Sequence, residues 1–226
     1  DSESPIHIKS LAGFMRVNDS QYRDELWLYS KNGECIVINH LDLEKYVAGL
    51  LNSEMNSGWT KSVLRAQAVA ARTYAIYQMH LASSIFDLDS SVKDQVYEGA
   101  HQERTKSIQA VAETRGQILT FRGKPIKAFY HSTCGGHTES AETIWGVRYA
   151  YIRPVPCGFC HKSPRYNWTY TVPRAEFEKK LRDAEILKGK FLGVRVALRS
   201  PYGRAREMEI NTSEGKYLVS TPKLRN

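Results

Sequence analysis

The sequence predicts an α+β fold, with a helical cluster between two β-rich parts, from three observations. Short alternating runs rich in β-branched and aromatic residues fill the stretch from Ile6 to Ile38 and return in the last third. Between them stands an alanine-rich span with helical periodicity. No internal repeat, low-complexity segment or long linker interrupts the 226 residues, so a single domain 1–226 is expected, with its β-rich C-terminal part over 165–226.

In chain order, "IHIKS", "GFMRV", "ELWLYS" and "ECIVIN" read as strands, with "VNDSQ" and "SKNG" as turns. "HLDLEKYVAGLLNSEM" reads as a helix because Leu43, Tyr46, Val47, Leu50 and Leu51 recur at helical spacing. It is expected to end near Asn52 and to deliver Ser53, Glu54 and Met55 to a turn. A second helix runs from Lys61 to about Leu81. Thr60 can cap its start, and Trp59 and Leu64 stand at the two positions of a hydrophobic staple. Arg65 and Arg72 share one face of it, and Gln67 and Tyr74 another.

"VKDQVYEG" reads as irregular, "TKSIQAVAETRGQ" as a short amphipathic helix closed by Gly116, and "QILTFRGKPIKAFYHST" as a hairpin turning at "RGKP". A Gly-rich turn, "CGGHTESAETIWG", and a Pro/Cys loop, "RPVPCGFCHKSP", follow. "YNWTYTVPRAEFEKKLRDA" predicts a strand and then a helix starting at Pro173. "FLGVRVALRSPYGRAREMEINTSEGKYLVS" predicts three strands.

Hydrophobic residues make up 42% and charged residues 25%, as in folded proteins and unlike disordered chains. No apolar run approaches the roughly 20 residues of a membrane helix. No charged-then-apolar leader opens the sequence, so any signal or anchor is expected outside these residues. The net charge of +8 suggests a polyanionic partner: nucleic acid, anionic lipid or an acidic wall polymer. The basic residues are dispersed and no nucleic-acid module accompanies them, so nucleic acid is not expected.

The block "SEMNSGWTKSVLRAQAVAARTYAIYQ", then "DQVYEG", then "AVAETRGQILTFRGKPIKAFYHSTCGGHTE", then "IWG" resembles the stage II sporulation protein D (SpoIID/LytB) family. The family's pattern of an E-M pair, an A-Q-A-V-A-A-R-T-Y-A helix, Q-x-Y, T-x-G-x-x-L and S-T-x-G-G-x-T runs in order from Glu54 to Gly146. The likeness is strongest over residues 40–150. It implies a bacterial, extracytoplasmic protein of the periplasm or cell wall that remodels peptidoglycan, as in sporulation. The implied activity is that of a lytic transglycosylase, a lyase cutting glycan strands stripped of stem peptides. Other relatives are amidase enhancers, which implies a wall amidase as a possible partner. No organic cofactor is implied.

Glu54 matches the family's catalytic acid. Breaking a glycosidic bond needs a proton on the leaving oxygen while positive charge builds on the sugar ring. The donor must hold its proton near neutral pH, against about 4.3 for an ordinary glutamate. The apolar flanks Met55 and Trp59 are of the kind that favours this. One carboxyl group is enough for a transglycosylase, since the same group can then take the proton of the sugar's 6-hydroxyl. Folding could also bring Asp94 and Glu98 close. Gln67, Arg72, Tyr74, Gln95, Tyr97 and Tyr130 are candidate substrate contacts; for Arg72 the alternative is a structural ion pair, and for the tyrosines a place in the core. Gly135 and Gly136 suit positive φ or the close approach of a ligand, and Thr138 either the ligand or the turn itself.

Cys134 and His137 in "CGGH", with Cys157 and Cys160 in "CGFC", have the spacing of a structural tetrahedral zinc set. His131 and His161 are rival fourth ligands, and a disulfide among the three cysteines is the alternative. The family usually has a small residue where Cys134 stands, so this reading comes from the residues and not from the resemblance. Cys35 is expected to be buried.

Overall fold

The computed structural model describes residues 4–56, 58–81 and 84–225; Ser57 of the turn after Glu54 lies outside them. The protein is α+β, as predicted. Its chain divides into two compact units, 1–130 and 131–226, where the sequence predicts a single domain.

The first unit opens with an antiparallel meander of β1 (Ile6–Val17), β2 (Ser20–Lys31) and β3 (Glu34–His40). Asn32 and Gly33 take φ of 53° and 79°, the pair of left-handed residues that a two-residue hairpin turn of this hand needs. The two runs expected as separate strands form one strand with a fault. Its register against β2 shifts between Lys9 and Phe14, where the Ser10 hydroxyl donates to the Phe14 carbonyl at 2.6 Å. Across the sheet His7, Trp27 and His40 stack in parallel, with ring centroids 4.4 and 4.6 Å apart. Cys35 is exposed, not buried as predicted. It pairs with Ser30 at the hairpin tip, where residues 30–35 are all exposed.

Three helices follow: α1 (Leu43–Glu54), α2 (Lys61–Met79) and α3 (Thr105–Glu113). Asp42 caps α1 by accepting from the N–H groups of Glu44 and Lys45 at 2.9 and 3.3 Å. The helix runs two residues past its predicted end, so Glu54 is its last residue and not part of a turn. Thr60 stands at the capping position of α2 but its side chain makes no capping bond, and Trp59 is exposed. Val47, Leu50 and Leu51 of α1 meet Leu64, Ala68, Ala71 and Ala75 of α2 and Ala110 and Val111 of α3. The alanines let the backbones approach, and each buried leucine contributes about 1.5–3 kcal/mol. The predicted hairpin is reduced to β4 (Thr120–Phe121) and β5 (Lys124–Pro125).

Asp24 fastens the meander to α1. Its carboxylate accepts from Lys45 Nζ at 2.5 Å and from the Asp42 N–H at 3.0 Å.

The second unit contains α4 (Ala141–Trp145), α5 (Arg174–Asp183), a three-stranded antiparallel sheet of β6 (Phe191–Arg199), β7 (Ala205–Thr212) and β8 (Gly215–Ser220), and α6 (Thr221–Arg225). The sequence reading missed α4, which Ser140 caps through the Thr143 N–H and Gly146 ends at φ 71°. A smaller core joins Leu181, Ile186, Leu187, Phe191, Ile210 and Val219. The strand predicted around Tyr166–Val172 is not formed; this stretch enters no ladder among the described residues.

Candidate active site and cysteine cluster

Glu54 is half-buried at the C-terminal end of α1. Its Oε1 accepts the Val96 backbone N–H at 2.9 Å. The Tyr130 phenol also hydrogen-bonds the Glu54 carboxylate. Gln95 lies behind them. It accepts from Tyr46 Oη at 3.2 Å and donates through Nε2 to Tyr130 Oη at 3.1 Å. Since Tyr130 accepts from Gln95, its own proton is directed at Glu54. The carboxylate is thus held by one backbone donor and one phenol donor.

Burial, and then the Glu54 carboxylate, raise the Tyr130 phenol above its ordinary value, so it stays protonated and remains a donor. Tyr46 is raised in the same way, first by burial and then by Tyr130, Asp94 and Glu54.

Four of the predicted substrate contacts are interior groups. Arg72 is fully buried and all five of its N–H donors are occupied. Nε and Nη2 bond the two Glu44 oxygens at 2.9 and 2.7 Å, and the rest reach the carbonyls of Ala68, Val111 and Gln117. It is therefore the structural ion pair and has nothing exposed to offer a sugar. Tyr74 is buried and donates to Asp94 Oδ1 at 2.9 Å, beside Gln78 at 2.6 Å. Gln95 is 1% exposed and serves the chain of bonds described above. Tyr97 is core, bonded to Asn39 Oδ1 at 3.1 Å and packed against Tyr46.

Tyr130 is half-buried and Gln67 is half-buried with an Nε2 that has no partner among the described residues. Of the two acids that folding was to bring near, Glu98 accepts from the Ser53 hydroxyl at 3.4 Å, while Asp94 is taken up by Tyr74, Gln78 and the Asp89 N–H. Val96 and Tyr46 were not foreseen. They lie 42 and 8 residues from Glu54, and neither a valine backbone nor a core-spaced tyrosine marks a site in sequence.

The second unit brings Cys134, Cys157 and Cys160 together, their sulfurs all within 4.8 Å of one another. Cys134 Sγ and Cys160 Sγ are 3.2 Å apart and Cys157 Sγ and Cys160 Sγ 3.8 Å, and the thiols are free. Three thiolates about 2.3 Å from one zinc ion in a tetrahedron would lie about 3.8 Å apart, so the three residues fit such an ion. Burial and the neighbouring thiols push Cys134 up to about 11, whereas the Cys134 backbone N–H lowers Cys160.

His137 does not join them, contrary to the prediction. Its Nδ1 sits 2.7 Å from the Thr138 carbonyl and its ring stacks on Tyr202 at 4.0 Å. His131 and His161 are exposed and likewise outside the cluster. The Gly-Gly turn is zipped to the Pro/Cys loop. The Cys157 backbone N–H donates to the Gly136 carbonyl at 2.8 Å, and Thr138 N–H to the Val155 carbonyl at 2.9 Å. Thr138 Oγ1 accepts from Val155 N–H at 2.7 Å, so that side chain serves the turn. Gly135 and Gly136 take φ of 68° and 101°, which explains the glycines by backbone hand alone.

The first unit thus presents one oriented carboxyl group at the end of a helix. Residues 31–121 match the family model described as "Stage II sporulation protein", SpoIID. This match and the relatives that follow support the SpoIID family for the chain. The chain is 34% identical over 200 residues to an uncharacterized protein of Brachyspira hyodysenteriae, covering 88% of this chain and 54% of that protein. It is 35% identical over 175 residues to the stage II sporulation protein D of Bacillus subtilis, covering 69% of this chain and 51% of that one. An amidase enhancer of the same bacterium is 30% identical over 135 residues, covering 60% of this chain and 18% of the enhancer. The chain spans about half the length of the first two relatives. These likenesses support a role at the cell wall.

Proposed function

We propose that this protein is a peptidoglycan lytic transglycosylase acting outside the cytoplasm on glycan strands, preferably those stripped of stem peptides. The observation that carries the reading is the oriented Glu54 carboxyl, bonded by the Val96 N–H and the Tyr130 phenol. Glu54 gives its proton to the bridging oxygen as the bond from that oxygen to the sugar's C1 breaks. The resulting carboxylate takes the proton of the same sugar's 6-hydroxyl as O6 closes on C1. The product is a 1,6-anhydro ring, and no water is consumed. Tyr130 keeps the carboxylate in place through both transfers. Mass spectrometry of sugars released from stripped glycan tests this. Anhydro ends from the wild type and none from Glu54→Gln are expected, whereas cleavage by the variant at the wild-type rate would refute it.

A second reading, favoured by the likeness to an amidase enhancer, is a protein that binds wall and stimulates an amidase without cutting. It predicts unimpaired stimulation by Glu54→Gln. In either reading Cys134, Cys157 and Cys160 are proposed to hold zinc as a structural staple of the second unit.

A further inference from the structure

Residues 1–130 carry fifteen Lys and Arg against fifteen Asp and Glu, whereas residues 131–226 carry seventeen against nine. All of the +8 therefore belongs to the second unit, and two copies of the first can meet without net repulsion.

The first unit also presents an open strand edge. Such an edge is a template for another strand, and folded proteins blunt it with breaks, prolines or charged side chains. β1 has its register fault between Lys9 and Phe14 and carries Lys9 and Arg16. β6 shifts register three times and carries Arg195 and Arg199, and β8 carries Lys216. β3 has none of these devices. Its seven residues, "ECIVINH", pair with β2 without a break and include no Lys, Arg or Pro. Among the described residues no backbone hydrogen bond reaches its outer edge.

The strand is complementary to itself. Laid antiparallel on a second copy about Val37, all of it pairs, with Glu34 opposite the other copy's His40 and Ile36 opposite its Ile38. Within each sheet Lys31 already faces Glu34, and His40 faces Glu25, whose carboxylate meets Lys9 at 3.3 Å. The joined row therefore reads Lys31, Glu34, His40, Glu25, Lys9, so acids and bases alternate across the junction, and opposite partners stabilise a sheet. The next row on that face joins Trp27 and Ile38 to Ile36 and Tyr29. On the other face Val37, 47% exposed, meets its own copy. A slip of two residues sets Glu34 or His40 against an isoleucine instead.

We propose that β3 joins a second copy of this chain edge to edge, making a six-stranded antiparallel sheet with a two-fold axis at Val37. The proposal does not depend on the reaction at Glu54. The contact is one strand wide, so the dimer is weak and its population rises with concentration.

Sedimentation equilibrium of the full chain tests this. The wild type should pass from one chain to two as concentration rises, and stop at two. Val37→Lys and Val37→Glu each set like charges face to face at the axis and should weaken the dimer about tenfold. Mixed in equal amounts, the two variants should associate again, since an ammonium then faces a carboxylate. Val37 is exposed, so circular dichroism of both should match the wild type. In Cys35→Ser protein, Val37→Cys should form a disulfide between copies at position 37 under oxidised glutathione. Cys35 itself lies opposite Asn39 in this register, four residues or about 13 Å along the strand from its own copy, and should not cross-link.

A monomer at every concentration would overturn the proposal and leave the edge to a strand of some other protein. Assemblies larger than two, a dimer indifferent to Val37→Lys, or a mixture that fails to associate would overturn it as well.

Discussion

Val96 donates its backbone N–H to Glu54 Oε1, so the segment after α2 orients the carboxyl that α1 delivers. A side chain at the end of a helix has freedom to swing. The bond to Val96 and the phenol of Tyr130 remove that freedom, which is what a proton donor acting on one particular oxygen requires.

Glu54→Gln keeps the shape of the side chain and removes the transferable proton. Turnover on stripped glycan is expected to fall by about 10²–10⁴, the range for losing a general acid. Thermal unfolding should be little changed. A variant that loses its fold along with its activity would mean that Glu54 is a structural residue.

Tyr130→Phe removes the phenol donor but leaves the ring. Turnover should fall less than in Glu54→Gln. Because the phenol is raised, the wild-type rate should show no alkaline limb from Tyr130 below about pH 10. An alkaline limb present in the wild type and absent in Tyr130→Phe would contradict the assignment.

Arg72→Ala should destabilise the protein by about 3–5 kcal/mol, since it leaves Glu44 and three carbonyls without their donor in the interior. Denaturant unfolding measures this. Were Arg72 a substrate contact instead, the variant would keep its stability and lose only affinity.

Asp24 gives a pH-dependent contribution. Burial pushes its carboxyl up, but Lys45 and the Asp42 N–H outweigh burial and hold it below the ordinary 3.8. A carboxyl depressed in the folded state stabilises the fold above its unfolded value and loses that contribution as pH falls through the folded one. Asp24→Asn should therefore be less stable than the wild type at neutral pH, by no more than about 1 kcal/mol for so accessible a pair. The gap should close as pH drops below about 4.

Elemental analysis should find one zinc per chain, retained in His137→Ala and lost in Cys134→Ser or Cys160→Ser. Removing the metal with a chelator should lower the melting temperature, because a ligand that binds only the folded state stabilises it. A metal-free preparation with an unchanged melting curve would exclude the staple.

The regular elements were legible because each has a local cause. Alternation marks β2, β3 and the last three strands, spacing marks the buried face of α1, and the Asn32-Gly33 pair marks a turn. The cluster of three cysteines was legible through its spacing. What failed depended on partners distant in sequence. The true partner of Arg72 is Glu44, 28 residues back, so its burial could not be read from its own helix. His137 was claimed for the metal because spacing cannot show that its ring is taken by Tyr202, 65 residues on. Cys35 looked like core because alternation says which residues share a face, not whether anything covers it. The stretch holding Trp168 and Tyr170 has the composition of a strand but no neighbour to pair with.

The lopsided charge gives the molecule a preferred way to arrive. At low ionic strength a polyanionic surface attracts residues 131–226 more strongly than residues 1–130, whose charges cancel. With added salt, at a Debye length of about 10 Å in 0.1 M, that attraction should fade, whereas the cleavage proposed for Glu54 should keep its pace on short uncharged fragments. On the proposed function, salt would then set the encounter with the polymer and the Glu54 side chain its cleavage, each without the other.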